Sequence, residues 1–133
     1  GTVRGVEVYD DFAHHPTAID TTLEGARKRL GERKLWAIIE PRSNTMRMGS
    51  HKDGLAHSAR LADEVIWYQP EGSDWDLQPV IAAAPNKAVV ARTLDDIIHT
   101  IVSDAGEGDA VVIMSNGGFG GLHQKLISAL NAE

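Results

Sequence analysis

The chain has 133 residues and a formal net charge of −6 at pH 7, with 42% hydrophobic and 24% charged residues. These values are ordinary for one soluble globular domain with a single core. The acidic balance disfavours a nucleic-acid-binding protein, because such proteins need a basic face to displace counterions from phosphates. Cysteine is absent, which excludes disulfides and thiolate chemistry, and no apolar run approaches the roughly 20 residues of a membrane span. The composition fits a reducing compartment, and we expect no membrane partner.

The first predicted strand leads into a polar loop and then into a helix. β-forming residues at Val6 and Val8 predict a strand that ends at Tyr9. Pro16 suits the first position of a helix, since the missing N–H costs nothing there. The predicted helix runs from Pro16 to Leu30, because apolar residues recur on one face, at Ile19, Leu23, Ala26 and Leu30.

Strands and helices alternate along the rest of the chain. Strands are predicted at residues 34–40, 64–69, 88–91 and 110–114, and helices at residues 94–105 and 122–130. A further helix is predicted to start at Ser50 or Asp53, with Leu55, Ala59 and Ala62 on its inner face. Residues 75–84 are assigned to a loop with a short helix. This alternation predicts an α/β fold: a single Rossmann-like domain over residues 1–133, with a mostly parallel sheet and helices on both faces.

Three of the predicted loops concentrate polar residues and glycines. Residues 10–15 read Asp-Asp-Phe-Ala-His-His, residues 41–49 include Arg42 and Arg47, and residues 115–121 read Ser-Asn-Gly-Gly-Phe-Gly-Gly. Each loop follows a predicted parallel strand, so all three should meet at the carboxyl-end edge of one sheet. Ligands of open α/β sheets bind at that edge, beside helix N-termini. The sequence therefore predicts a binding site there.

Each loop also has a purely structural interpretation. The glycine-rich segment can cradle a phosphate or carboxylate, or it can be a flexible turn; it matches neither the Walker pattern nor the dinucleotide fingerprint. The two arginines can grip carboxylates bidentately or simply be solvated. His14 and His15 are adjacent, so their side chains diverge, and no residues at zinc spacing accompany them. We predict neither a metal site nor a catalytic nucleophile in this chain.

The stretch from Tyr9 to Ile19, Tyr-Asp-Asp-Phe-Ala-His-His-Pro-Thr-Ala-Ile, resembles the start of the C-terminal domain of the Mur ligases. Residues 40–49, Glu-Pro-Arg-Ser-Asn-Thr-Met-Arg-Met-Gly, depart from the His-Arg-Tyr-Thr-Arg signature of the alanine-adding branch. Together with Met-Ser-Asn-Gly-Gly-Phe-Gly-Gly at residues 114–121, they resemble the branch of the family that reattaches salvaged murein tripeptide.

The resemblance implies the last domain of a three-domain, cytoplasmic, ATP-dependent ligase of peptidoglycan recycling. Its partners would be the N-terminal and central domains of the same chain, and the central domain would carry the Walker lysine and the Mg²⁺ ligands. ATP would activate UDP-N-acetylmuramate as an acyl phosphate. The amine of the murein tripeptide, L-alanyl-γ-D-glutamyl-meso-diaminopimelate, would then attack it. Since residue 1 is Gly and a strand follows almost at once, we expect the chain to be a fragment.

By the same resemblance, two groups of residues form the site. Asp11, His14 and His15 match the nucleotide contacts, with Asp11 at the ribose and His14 near the phosphates. The acceptor would be recognised by residues of the other two loops, namely Arg42, Asn44, Thr45, Arg47, Ser115, Asn116 and Phe119. Two alternatives remain open: the C-terminal domain of an alanine-adding ligase, and a non-catalytic module that binds a nucleotide or peptide.

Overall fold

The computed structural model describes residues 2–3, 5–11, 16–40, 56–69, 78–83, 87–114 and 121–132. The described strands are β1 (Thr2–Val3), β2 (Val6–Asp11), β3 (Leu35–Ile39), β4 (Glu64–Tyr68), β5 (Lys87–Ala91) and β6 (Ala110–Met114). The described helices are α1 (Pro16–Leu30), α2 (Gln78–Ala83), α3 (Leu94–Asp104) and α4 (Leu122–Ala132). No helix among these combines the length and the apolar character needed to cross a membrane.

The strands form one sheet in the order β1-β2-β6-β3-β4-β5. Strands β2, β6, β3, β4 and β5 are parallel to their neighbours, and β1 pairs with β2 in the antiparallel sense. The predicted α/β fold with a mostly parallel sheet is therefore confirmed. A parallel sheet requires crossover connections, which place helices on its faces.

Each face of the sheet is covered by its own apolar core. In β3, Leu35, Ala37 and Ile39 enter the first core, while Trp36 and Ile38 enter the second. The first core lies against α1 and includes the predicted inner face of that helix, Ile19, Leu23, Ala26 and Leu30. The second core lies against α3 and α4 and includes Ile97, Ile101, Leu122, Leu126 and Leu130. All five residues of β3 are buried, as expected for a strand covered on both sides.

The helix ends follow from local chemistry. Thr93 caps α3, since its hydroxyl accepts a hydrogen bond from the backbone N–H of Asp96 at 3.1 Å. At the C-terminal end of α1, Gly31 has φ +66° and its N–H donates to the carbonyl of Arg27 at 2.9 Å. This left-handed conformation favours glycine and closes the helix.

At the amino-end edge of the sheet, charged groups of β3, β4 and β5 are paired. The Glu64 carboxylate lies between Lys34 and Lys87, with the Lys87 ammonium at 3.1 Å. Burial alone would raise the pKa of Glu64, but the two lysines outweigh it and lower that pKa. Close by, the indole Nε1 of Trp36 donates to Asp109 at 3.0 Å. The carboxylates of Glu64 and Asp109 therefore have their partners within the domain.

Two predicted elements were wrong in detail. The first strand ends at Asp11 rather than Tyr9, because β6 offers backbone partners up to Met114. The helix expected to carry Ala59 and Ala62 is helical only at residues 56–58 within the described part of that segment. Ala59 and Ala62 are buried as predicted, but they lie in the turn that leads to β4.

Candidate functional site

Three neighbouring strands end in one row at the carboxyl-end edge. Asp11 of β2 pairs with Met114 of β6, which also pairs with Ile39 of β3. The row is extended by one residue, because the N–H of Glu40 donates to the carbonyl of Met114 at 2.9 Å. The chain segments after β2, β3 and β6, which contain the predicted site residues, therefore start side by side.

Most of the predicted site residues lie outside the described residues. Asp11 is described as the last residue of β2. The others are His14, His15, Arg42, Asn44, Thr45, Arg47, Ser115, Asn116 and Phe119, and none of these is described. The individual roles of all ten remain predictions, while the strands that lead to them have a common end.

Helix N-termini reach the same edge. Helices α1 and α4 follow the segments that leave β2 and β6, and neither has an acidic residue in its first turn. The first N–H groups of a helix carry a partial positive charge and have no partner within the helix. In α3, by contrast, Asp95 and Asp96 occupy the first turn. The N-termini of α1 and α4 are therefore suited to anionic groups.

Glu40 is an acidic residue at this edge to which the sequence analysis assigned no role. It follows β3 directly and is half-buried. Burial raises the pKa of its carboxyl above the ordinary value, since a charge removed from water is destabilised. The only sequence signal was a glutamate placed immediately after a buried apolar strand.

Tyr68 lies beside Glu40 on the neighbouring strand. Ile39 pairs with Trp67, so the next residues, Glu40 and Tyr68, are adjacent across β3 and β4. Both burial and the charge of Glu40 raise the pKa of the Tyr68 hydroxyl. Tyr68 packs against the second core, as does Ile38, two residues before Glu40. The alternation of side chains along β3 assigns Glu40 to the same face as Tyr68, the face that α3 and α4 cover.

A separate groove of about 330 Å³ lies on the α1 side, lined in part by Tyr9, Gly25 and Arg29. The Tyr9 hydroxyl donates to Glu7 at 2.7 Å, and the Arg29 guanidinium carbon lies 4.7 Å from the centre of the Tyr9 ring. The hydrogen bond from Tyr9 lowers the pKa of Glu7 and raises that of Tyr9. The contact between Arg29 and the Tyr9 ring joins α1 to β2 along this groove.

The family model described as "Mur ligase, glutamate ligase domain" matches residues 1–117. The chain belongs to the Mur ligase family. Within the Mur ligases, the solved structure of the murein peptide ligase from Psychrobacter arcticus 273-4 is 54% identical, with a TM-score of 0.92. That alignment covers 100% of this chain and 29% of the other. The fold is thus that of a Mur ligase C-terminal domain.

Two curated relatives among the Mur ligases are also similar over almost the whole chain. Both are named UDP-N-acetylmuramate–L-alanyl-γ-D-glutamyl-meso-2,6-diaminoheptandioate ligase. The protein from Escherichia coli K12 is 47% identical, covering 98% of this chain and 29% of the relative. The protein from Haemophilus influenzae Rd is 43% identical, covering 100% and 30% respectively. The chain spans about three-tenths of the length of these relatives.

Proposed function

We propose that these 133 residues are one domain of a longer ligase that joins the murein tripeptide to UDP-N-acetylmuramate with ATP. The proposal is carried by the likeness, over nearly the whole chain, to two relatives whose names give these two compounds as the ones joined. In the longer protein, this domain closes over ATP and binds the acceptor peptide at the carboxyl-end edge. N-terminal and central domains of the same chain supply the remaining parts.

The reaction proceeds in two steps. A carboxylate oxygen of UDP-N-acetylmuramate attacks the γ-phosphorus of ATP, the bond to the β-phosphate oxygen breaks, and ADP leaves. The terminal amine of the tripeptide then attacks the carbonyl carbon of the acyl phosphate, loses a proton, and displaces inorganic phosphate. Such chemistry depends mainly on positioning and charge neutralisation.

The residue roles divide between the two ligands. Asp11 contacts the ribose of ATP, His14 lies near the phosphates, and His15 belongs to the same group. The acceptor loops supply Arg42 and Arg47, whose guanidinium groups suit the carboxylates of the tripeptide. The remaining acceptor contacts come from Asn44, Thr45, Ser115, Asn116 and Phe119.

Mg²⁺ would neutralise phosphate charge during the first step. The described residues do not fit such a site, since they contain no group of three His, Asp or Glu side chains that could hold a metal ion. By family resemblance, the Mg²⁺ ligands lie in the central domain.

A comparison of two acceptors with the full-length protein tests the proposed function. The protein is incubated with UDP-N-acetylmuramate, ATP and Mg²⁺, together with either the tripeptide or L-alanine, and the muramyl product and phosphate are measured. The kcat/KM for the tripeptide should be at least about a hundredfold higher than that for L-alanine. The reason is that the polar groups of the site that bind the longer peptide have no partner when L-alanine is bound. Preference for L-alanine would identify an alanine-adding ligase, and no product with either would indicate a non-catalytic module.

A further inference from the structure

The described half-buried carboxylates differ in whether they have a partner. They are Glu7, Asp20, Glu40, Glu64 and Asp109. Four of them have protein partners within the described residues: Tyr9 and Arg33 for Glu7, Arg60 for Asp20, Lys34 and Lys87 for Glu64, and Trp36 for Asp109. No residue in the described ranges supplies Glu40 with a cation or a side-chain hydrogen bond. Glu40 is thus the exception in this set.

The carboxylate of Glu40, half-buried and with no partner among the residues that the structure describes, is energetically unfavourable when ionised. Burial raises the pKa of Glu40, while Asp63 and Glu64, which have cationic partners, have lowered pKa values. Such a penalty is offset when an opposite charge is bound nearby. The chemistry that Glu40 would recognise is therefore a cation able to donate hydrogen bonds.

The position of Glu40 defines which ligand can supply that cation. Its backbone is held to Met114 at the end of β6, in the row from which the proposed acceptor segments leave. Tyr68 is the adjacent residue on β4, and the charge of Glu40 adds to burial in raising the pKa of its hydroxyl. A ligand bound beside these two residues would meet the Glu40 carboxylate and the Tyr68 hydroxyl.

The acceptor named in the curated relatives contains 2,6-diaminoheptandioate. One of the two amino groups of that residue is acylated in the peptide, and the other is free and protonated at neutral pH. The terminal amine, by contrast, must lose its proton before it can attack. An ionised carboxylate would favour the protonated form of the amine that it contacts. Such a partner therefore suits the ammonium that does not react.

We propose that the Glu40 carboxylate binds the non-reacting ammonium of the diaminoheptandioate residue, with Tyr68 beside it, and so selects this acceptor. This inference rests on the proposed function, because it assigns one contact within the same acceptor site. Glu40 acts in specificity and positioning rather than in the chemical steps. The rate of acyl phosphate formation should not depend on it.

Two acceptors and three proteins test the assignment in the full-length ligase. The acceptors are the tripeptide and the same peptide with hydrogen in place of the free amino group, which keeps both carboxylates. The proteins are the wild type, Glu40→Gln, and the control Glu32→Gln, which removes an exposed carboxylate in the turn before β3. Glu40→Asp is added as a variant that keeps the charge.

With the tripeptide, Glu40→Gln should raise the acceptor KM by about tenfold to a hundredfold, the range of a lost charge-assisted hydrogen bond. With the deaminated peptide, wild type and Glu40→Gln should be equal within about twofold, because the interaction has already been removed. The KM of Glu40→Asp for the tripeptide should lie between the values of wild type and Glu40→Gln. Neither the KM for ATP nor that for UDP-N-acetylmuramate should change, and Glu32→Gln should behave as wild type.

The failures are distinguishable. If the wild type ligates neither peptide, the proposed function is wrong. If it ligates the tripeptide and Glu40→Gln loses equally with both acceptors, or loses nothing, only the assignment of Glu40 is overturned. Thermal unfolding separates a folding defect from a binding defect: Glu40→Gln should melt no lower than wild type, because it removes a charge that burial disfavours.

Discussion

The Arg27 guanidinium contacts the Asp63 carboxylate at 2.9 Å and joins the end of α1 to the residue before β4. Further N–H groups of Arg27 donate to the carbonyls of Gly31, Arg33 and Leu61. Asp63 also accepts a 2.7 Å hydrogen bond from the backbone N–H of Leu35, the first residue of β3. One arginine and one aspartate therefore fix the starts of two central strands relative to a helix.

Replacing Arg27 should destabilise the domain strongly for a partly exposed residue. Arg27→Ala removes the ion pair and leaves several carbonyls without their donor, so the free energy of unfolding should fall by about 2–3 kcal/mol. Lys28→Ala is the matched control, since the Lys28–Glu24 pair is exposed and 3.7 Å apart, and it should cost about 0.5 kcal/mol or less. Urea unfolding measures both. Equal effects of the two variants would show that Arg27 is not a stabilising centre.

The same contacts predict how stability depends on acid pH. Burial alone would raise the pKa of Asp63, but the hydrogen bond from the Leu35 N–H and the charge of Arg27 outweigh it and lower that pKa. The pKa of Glu64 is lowered in the same way, because Lys34 and Lys87 outweigh the effect of burial. A carboxyl with a lower pKa in the folded state contributes stability above its unfolded pKa and loses it as the pH falls through the folded value. Starting from ordinary values of 3.8 and 4.5, stability should therefore fall below about pH 4.5. Asp63→Asn should make that loss shallower, and an unchanged acid limb would contradict the assignment.

Much of this fold is predictable because its apolar residues are periodic. Helix α1 has the same limits in the sequence prediction and in the structure, Pro16–Leu30. The end of β2 was not predictable, because Asp10 and Asp11 are poor strand formers and only their pairing with β6 extends the strand. The short strand β1 was missed for a similar reason, since it exists by pairing with β2.

The candidate site, like the fold, was predictable from the sequence only in part. Parallel strands of one sheet end at a common edge, so the common edge of the three loops follows from the alternation of strands and helices. The strand order that sets Asp11, Met114 and Ile39 side by side is known only from the structure. Glu40 was not predictable as a site residue, because a glutamate after an apolar strand is ordinarily just the point where the chain reaches solvent. Its distinction depends on burial without a described partner, and that is a property of the folded chain.

The isolated chain of 133 residues should fold without catalysing a reaction. Both faces of its sheet are covered by apolar cores, whereas its sequence contains no Walker motif. We expect a single cooperative unfolding transition and no release of phosphate from ATP in the presence of Mg²⁺. Clear Mg²⁺-dependent ATP hydrolysis by this chain alone would contradict the proposed division of labour between domains.

Asp11 and His14 should affect the use of ATP in the full-length ligase. Replacing either with alanine should lower kcat/KM for ATP by roughly one to two decades, the value of a lost charge-assisted hydrogen bond. His57→Ala is the control, because that side chain is exposed and is assigned no role. Melting temperatures should be unchanged in all three variants. Wild-type kinetics at low ATP in both Asp11→Ala and His14→Ala would remove the nucleotide assignment.

The arginines of residues 41–49 give the most direct test of acceptor binding at the carboxyl-end edge. In the full-length ligase, Arg42→Ala and Arg47→Ala should each raise the KM for the tripeptide by about tenfold to a hundredfold, because each loses a cation paired with a carboxylate. The KM for ATP should change much less, and Lys125→Ala, which removes an exposed cation on α4, should change neither. The decisive measurement is the steady-state KM of Arg42→Ala and Arg47→Ala with tripeptide and ATP varied separately. A raised tripeptide KM with a constant ATP KM is the expected result, whereas a raised ATP KM with a constant tripeptide KM would place these residues at the nucleotide and contradict acceptor binding there.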